Sequence, residues 1–468
     1  MKKNLLYVIN LFINEIIFDK QNISGGTALN LLDIVEKKDI KNKFNIFILY
    51  IGVDEKYKLN TYINGKEERF NLNIEAHNRY FLEKNAQYRE MLEKIITNFN
   101  IDIIHIQHLM DHYVDIVDVI EKYKIPTIVS LHDYFLICPN VNLLDEEDKQ
   151  CLNISNGEDC YKCTGSKLNT EYRVNIVKRL LQQAERIVIP NETVGEKFSK
   201  LFGDLKYTVI EHGIKPFKKI IKTKKDDNFN IAFVGVLIKI KGKNKMKYLI
   251  NNINNKNIKF HLFGVTDEEE LMKNADNYTY HGTYNKSDIE MELRKNKIDL
   301  VCILSICHET FSYVLSESIN AKIPVMAFDV GAVGNRIKKM NCGIVVDLDI
   351  SGEQLKNKII EISNYSDEYV NIKNNINNIN LETINQMQNK YKELYNSVEV
   401  FNKSRKIAIR DVTKLIKGSV EIVNPKDIKK MFIKTIKYAR KNGIAKTTKA
   451  ITEKISNKFK KKKRSNIR

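Results

Sequence analysis

The sequence predicts an α/β chain in which two Rossmann-like units follow one another, each a parallel sheet with helices on both faces. Short apolar runs alternate with helix-length segments, the alternation restarts in the second half, and glycine-rich turns follow strands in both halves. In the first half the strands read as Leu5–Val8, Phe44–Gly52, Ile101–Ile106 and Thr127–Leu131, with Ala28–Lys37 and Ala86–Asn98 as helical segments. In the second half Tyr207–Glu211, Asn230–Val234, Ile258–Gly264, Leu300–Leu304 and Val325–Asp329 read as strands. The polar stretch His212–Asp227 marks the seam. Leu381–Val398 reads as a closing helix of the second unit, because Ile384, Met387, Tyr391, Leu394 and Tyr395 recur at helical spacing. The predicted division is 1–208, 209–398 and a tail, 399–468.

A length of 468 residues suits two or three domains, and 43% hydrophobic residues place the chain in the globular class. No run reaches the roughly 18 apolar residues of a membrane-spanning helix. Asn10, Asn14, Glu15 and Asp19 interrupt the apolar start, so a buried first strand is expected there rather than a signal peptide. Seven cysteines, an odd number in a long chain, argue against a secreted disulfide framework and for the cytoplasm. The net charge of +19 is not spread evenly. From Phe401 onward there are 23 Lys and Arg against 4 Asp and Glu, while the first 400 residues hold 54 of each sign. A neutral body argues against a nucleic-acid partner.

Ser24-Gly25-Gly26-Thr27 precedes a helix, where backbone amides can approach an anionic ligand; a plain tight turn fits the same spacing. Phe233-Val234-Gly235 ends a strand and is followed by Lys239, Lys241, Gly242 and Lys243, a place where open α/β sheets bind ligands. A solvated charged loop is the competing reading. In the stretch from His308 to Asn335, Thr310–Ala321 reads as a helix and Gly331–Gly334 as a glycine-rich loop after a strand. Glu309 then falls at the helix start and Glu317 two turns inside, near one face. Two carboxylates so placed suit the hydroxyl pairs of a sugar and a ribose, against the common alternative of two surface acids.

Gly25-Gly26, SLHDYFLICPN (Ser130–Asn140), VIEHGIKP (Val209–Pro216), FVGVLIKIKG (Phe233–Gly242), HLFG (His261–Gly264), HGTY (His281–Tyr284) and the stretch His308–Asn335 follow one another in order. As a set they resemble the retaining, nucleotide-sugar-dependent glycosyltransferases of the GT-B fold, family 4. The resemblance implies two Rossmann-like domains facing a cleft, with the donor on the second domain and the acceptor on the first. It implies that Glu309 meets the donor sugar's hydroxyls, Glu317 the ribose, and Lys241 the diphosphate. His132 would face the donor sugar, which makes His132, Glu309 and Lys241 the expected catalytic group. Gly25, Gly26, Gly235, Lys239, Phe311, Ser312 and Gly331 complete the expected donor-binding set. Cations and amides would stabilise the departing diphosphate without a catalytic metal, and transfer would proceed with retention.

The sequence departs from that pattern in three places. Val236 stands where the family usually has Arg, leaving Lys239, Lys243 or Arg294 as substitutes; Asn335 replaces a common Glu, and His212 replaces the usual Asn. The first departure motivates an alternative, a catalytically weak GT-B protein acting as a binding or scaffold partner. Acceptor contacts are expected in loops around Tyr62–Tyr88 and in the cysteine segment.

Cys138, Cys151, Cys160 and Cys163 lie close in sequence, the last two as C-x-x-C. A structural zinc site, a redox pair and ordinary loop thiols all fit that spacing. In the tail, Ile428, Met431, Phe432, Ile436 and Ala439 fall on one helical stripe, followed by KFKKKKR at Lys458–Arg464. A basic amphipathic helix suits an anionic membrane surface, with an RNA-binding arm and a solubilising tail as alternatives. The expected protein is peripheral at the inner face of the plasma membrane and transfers sugar from a nucleotide-sugar to a surface-glycan or lipid-linked acceptor.

Overall fold

The computed structural model describes residues 2–400 apart from 11–24, 37, 53, 77, 152, 156, 166–168, 218–226 and 268–274. Ser24 and the amphipathic tail lie outside the described residues. The strands of the first sheet are β1 (Lys3–Val8), β2 (Phe44–Ile51), β3 (Lys56–Ile63), β4 (Lys66–Glu75), β5 (Ile103–Ile106), β6 (Thr127–Ser130), β7 (Arg186–Ile189) and β8 (Tyr207–Val209). Their order is β4-β3-β2-β1-β5-β6-β7-β8, parallel except for the β2-β3-β4 edge. The second sheet holds β9 (Phe229–Leu237), β10 (Ile258–Thr266), β11 (Tyr278–Gly282), β12 (Ile298–Ile303), β13 (Val325–Phe328) and β14 (Gly343–Val346). Its order is β11-β10-β9-β12-β13-β14, with every described pairing parallel. Each sheet therefore has a switch point, β1/β5 in the first and β9/β12 in the second, where chains leave in opposite directions and open a crevice.

Both strand-rich units have apolar cores on both faces, which is why their strands are near-continuous hydrophobic runs. Three expectations change. The strand at Tyr207 belongs to the first sheet, paired parallel with β7, so the first unit extends through Val209 and a division at 208/209 cuts a strand. The helix Ile384–Ser397 does not close the second unit. It buries Met387, Tyr391, Leu394 and Tyr395 against Leu5, Tyr7, Leu31 and Phe44 of the first. Finally, much of the region from Tyr62 to Tyr88 is not loop, because β3 and β4 form a hairpin turned by Asn64 (φ 49°) and Gly65 (φ 81°).

The chain thus crosses between the units twice, and the crossings run side by side. Ile214 N–H donates to Glu382 O (2.9 Å), and Ile384 N–H donates to Ile214 O (3.2 Å). Gly213 makes this approach possible: a Cβ there would stand 2.5 Å from Ile384 Cα.

Candidate active site

At the second switch point β9 runs into Gly235 (φ 102°), then a short 3₁₀ turn, Lys239–Lys241. A Cβ at Gly235 would meet nothing within 4 Å, so the backbone there borders open space. β12 delivers the neighbouring loop, and Ile306 N–H donates to Ile240 O (3.0 Å), locking the two loops together. Across them Lys241 Nζ donates to Glu309 Oε1 (2.7 Å), which also accepts from Ser305 Oγ (2.6 Å). Burial alone would raise the Glu309 carboxyl, but Lys241 and hydrogen bonds from Ser305 and Ser312 outweigh it and hold it below the usual range. Burial would likewise lower Lys241, and Glu309 more than offsets it. Both are charged at neutral pH.

Glu309 does not begin a helix as expected. Ser312 takes φ 71°, so the helix starts only at Tyr313, runs to Asn320, and is capped by Ser312 Oγ accepting from Leu315 N–H (3.4 Å). The sequence Gly331–Gly334 is the first turn of a helix, Gly331–Met340, rather than a loop. Gly331 (φ 57°) brings that turn onto the Glu309 backbone: Ala332 N–H donates to Glu309 O (2.9 Å), and a Cβ at Gly331 would stand 2.8 Å from the same oxygen. The amides of Gly331 and Val333, in the same turn, have no intrahelical acceptor.

Glu317 lies within the helix Tyr313–Asn320 and is buried. Among the described residues no donor reaches its carboxylate, although Lys286 lies in electrostatic reach. Burial pushes the carboxyl up to about 7, with Lys286 opposing the shift. Lys286 Nζ sits 3.8 Å from the Tyr313 ring centroid, and Tyr313 Oη donates to Gly26 O (3.5 Å) across the crevice. Gly25 (φ 99°) and Gly26 thus start the first unit's helix Gly26–Val35 directly opposite the Glu317 segment.

His132 follows β6 and approaches Glu309 from the first unit, since its carbonyl accepts from Thr310 Oγ1 (2.5 Å). Burial brings its pKa down to about 4, so the ring is neutral. Its Nε2 pairs with Gln107 Oε1 (2.8 Å), which makes Nε2 the donor and leaves Nδ1 as an acceptor with no partner among the described residues. The chain of contacts continues through Gln107 Nε2 to His105 Nε2 (2.9 Å) and His105 Nδ1 to Tyr395 Oη (2.9 Å). Beside His132, at 5.4 Å between ring centroids, His212 is buried with both ring nitrogens unpartnered among the described residues. Unpartnered buried polar atoms are rare in native structures and suit a polar ligand.

The structure therefore brings His132, Lys241, Glu309, Ser312 and Gly331 together, and sets Gly25, Gly26 and Glu317 along the same crevice. Phe311, expected against the donor, is instead buried between the Arg336 guanidinium (3.9 Å) and His212 (4.6 Å). Lys239, also expected there, pairs with Asp148 of the first unit. Of the other cations considered in place of Val236, Lys243 pairs with Asp267 (2.9 Å), and Arg294 lies in electrostatic reach of Lys322. Val236 itself is 60% exposed. Gln107, His105 and Tyr395 were missed, although two polar residues in the apolar run of β5 and its exit were a visible signal.

Two Rossmann-like lobes facing across a crevice, with charged groups at the second switch point, make this a GT-B protein. The Anabaena protein Alr3699/HepE in complex with UDP is similar over 85% of this chain and 100% of its own, with TM-score 0.56 and 14% identity. WaaG, a glycosyltransferase involved in lipopolysaccharide biosynthesis, matches over 84% and 100%, with TM-score 0.57 and 13% identity. A glycosyltransferase from Rickettsia africae ESF-5 matches over 84% and 98%, with TM-score 0.56 and 15% identity. No curated protein matches in sequence. The family model for glycosyl transferases group 1 matches residues 211–378, and that for glycosyltransferase family 4 matches 67–216. The chain belongs to this family of glycosyltransferases.

Proposed function

We propose that the enzyme transfers a hexosyl group from a nucleoside-diphosphate sugar, with retention and without a catalytic metal, to a surface-glycan or lipid-linked acceptor. The observation that carries this reading is the Lys241–Glu309 pair at the β9/β12 switch point, followed eight residues later by the buried Glu317. Lys241 and the free amides at Gly331 and Val333 supply positive potential where the departing diphosphate gains charge. Glu309, fixed in its charged form, accepts from sugar hydroxyls, Glu317 accepts from the ribose, and His132 Nδ1 offers one further acceptor to the sugar. UDP in the HepE structure, and UDP-glucose in another crystal of that protein, favour a uridine donor. The basic tail adds an anionic membrane surface as partner, at the inner face of the plasma membrane.

The test is donor hydrolysis and transfer with a panel of UDP-, GDP- and dTDP-sugars, run with metal chelated. Turnover with one donor, lost when Glu309 and Glu317 are both replaced by Gln, supports the reading. An inert chain that still binds a nucleoside diphosphate favours the scaffold alternative, to which the exposed Val236 points.

A further inference from the structure

We propose that Cys138, Cys151, Cys160 and Cys163 bind one zinc ion, and that this ion fixes the loop by which the first lobe holds the donor loops of the second. All four side chains line one cavity of about 20 Å³, together with Asp145 and Asp159. They reach it from three separate pieces of backbone. Cys138 follows a turn in which its N–H donates to Tyr134 O (2.7 Å), and Cys151 leaves a small hairpin closed by the Leu144–Gln150 bridge. Cys160 and Cys163 stand one turn apart on the helix Gly157–Thr164. All four are free thiols, and a cavity of this size accepts a single ion or water. No three possible ligands among the described residues already stand at metal-binding geometry, so loading draws the sulfurs inward, each losing its proton to solvent.

A second observation points the same way. Arg173 is 2% exposed, and its guanidinium donates only to carbonyls, those of Tyr80 (2.9 Å), Leu136 (3.0 Å) and Phe135. No carboxylate among the described residues forms a salt bridge with it, yet it lies in electrostatic reach of Cys138 and Cys160. A buried cation needs a compensating anion, and four thiolates around Zn²⁺ carry a net charge of −2. Four sulfur ligands are the tetrahedral set of a closed structural site.

The consequence lies in the hairpin between Cys138 and Cys151. Its Asp148 pairs with Lys239, and its Gln150 Nε2 donates to Ile306 O. Lys239 and Ile306 belong to the two loops that carry Lys241 and Glu309. An ion clamping both ends of the hairpin holds its tip against the donor site.

Elemental analysis of the purified full chain should find one zinc per chain, with four of the seven thiols protected from a thiol reagent until a mercurial releases the metal. Cys160→Ser/Cys163→Ser should lose the zinc; should that variant not fold, mercurial titration of the unmodified chain with a zinc indicator reads the same stoichiometry. Zinc below a tenth of an equivalent with all thiols reactive, iron in its place, or two disulfides in the intact mass each overturns the site. For the hairpin, Asp148→Asn should retain zinc and raise the donor KM several-fold; an unchanged KM overturns the holding role. Metal content is read without any transfer assay, so it stands or falls apart from the glycosyltransferase reading.

Discussion

At the scale of single residues, two glutamates eight apart do opposite electrostatic work. Glu309 is held charged by Lys241, while Glu317, with no donor among the described residues, is pushed up to about 7 from an ordinary 4.5. A carboxyl that is easier to protonate in the folded chain stabilises it fully below the unfolded value and loses that contribution as pH rises through the folded one. Between pH 5 and 8 the native protein should therefore lose up to about 3 kcal/mol relative to Glu317→Gln, read by urea unfolding at each pH. Parallel pH profiles for the two proteins would show that Glu317 is not strained in this way. Nucleoside diphosphate affinity should move in the opposite sense, strengthening as Glu317 ionises. The spacing of the two acids was legible in the sequence. The left-handed Ser312 that puts Glu309 outside the helix was not, because serine is read as a cap and gives no sign of positive φ.

At the scale of elements, what could be read depended on how local the cause was. The apolar runs of β1, β5, β6 and β9 announce themselves, since a strand buried on both faces is apolar throughout. The β3–β4 hairpin also had a local signal, Asn64-Gly65 between alternating residues, which went unread. The three-residue β8 had none: its membership in the first sheet rests on pairing with β7. The two crossings depend on Gly213, whose absent side chain lets the backbone of Ile384 come close. Gly213→Ala should cost about 1–3 kcal/mol, measured by thermal or urea unfolding, because the obstructing atoms are backbone and cannot swing aside. Donor affinity should fall with it, since the crossings set how the lobes face each other. An alanine variant of unchanged stability would mean that the crossings separate freely.

At the scale of the whole molecule, the last described helix, Ile384–Ser397, belongs in sequence to one lobe and in packing to the other. Its Tyr395 hydroxyl ends the path that selects the tautomer of His132. His105 Nδ1 donates to it, His105 Nε2 then accepts from Gln107, and Gln107 Oε1 is left to accept from His132. Tyr395→Phe keeps the ring and removes that end point. One hydrogen bond of about 1.4 kcal/mol corresponds to a tenfold change in rate, so turnover should drop on the order of tenfold with donor KM little changed. Nitrogen chemical shifts of the His132 ring should show mixed tautomers, which loss of packing alone would not produce; a single tautomer with full turnover would disprove the path.

The same helix decides where the chain can be cut. A chain ending at 383 uncovers Leu5, Tyr7 and Phe44 and forfeits the burial of Met387, Tyr391, Leu394 and Tyr395, on the order of 1.5–3 kcal/mol for each large side chain. It should express as an aggregating or unfolded product. A chain ending at 400 keeps the helix and the anchor of Lys3 Nζ on Val398 O (2.7 Å), so its melting temperature should match that of the full chain. It also removes 23 Lys and Arg against 4 Asp and Glu, taking the net charge from +19 to zero. With each basic residue near an anionic surface contributing about 1 kcal/mol, the full chain should co-sediment with anionic vesicles at low salt and the shortened chain should not. Transfer to a water-soluble acceptor should be the same for both. Equal sedimentation of the two chains would move membrane attachment, if any, onto the neutral body.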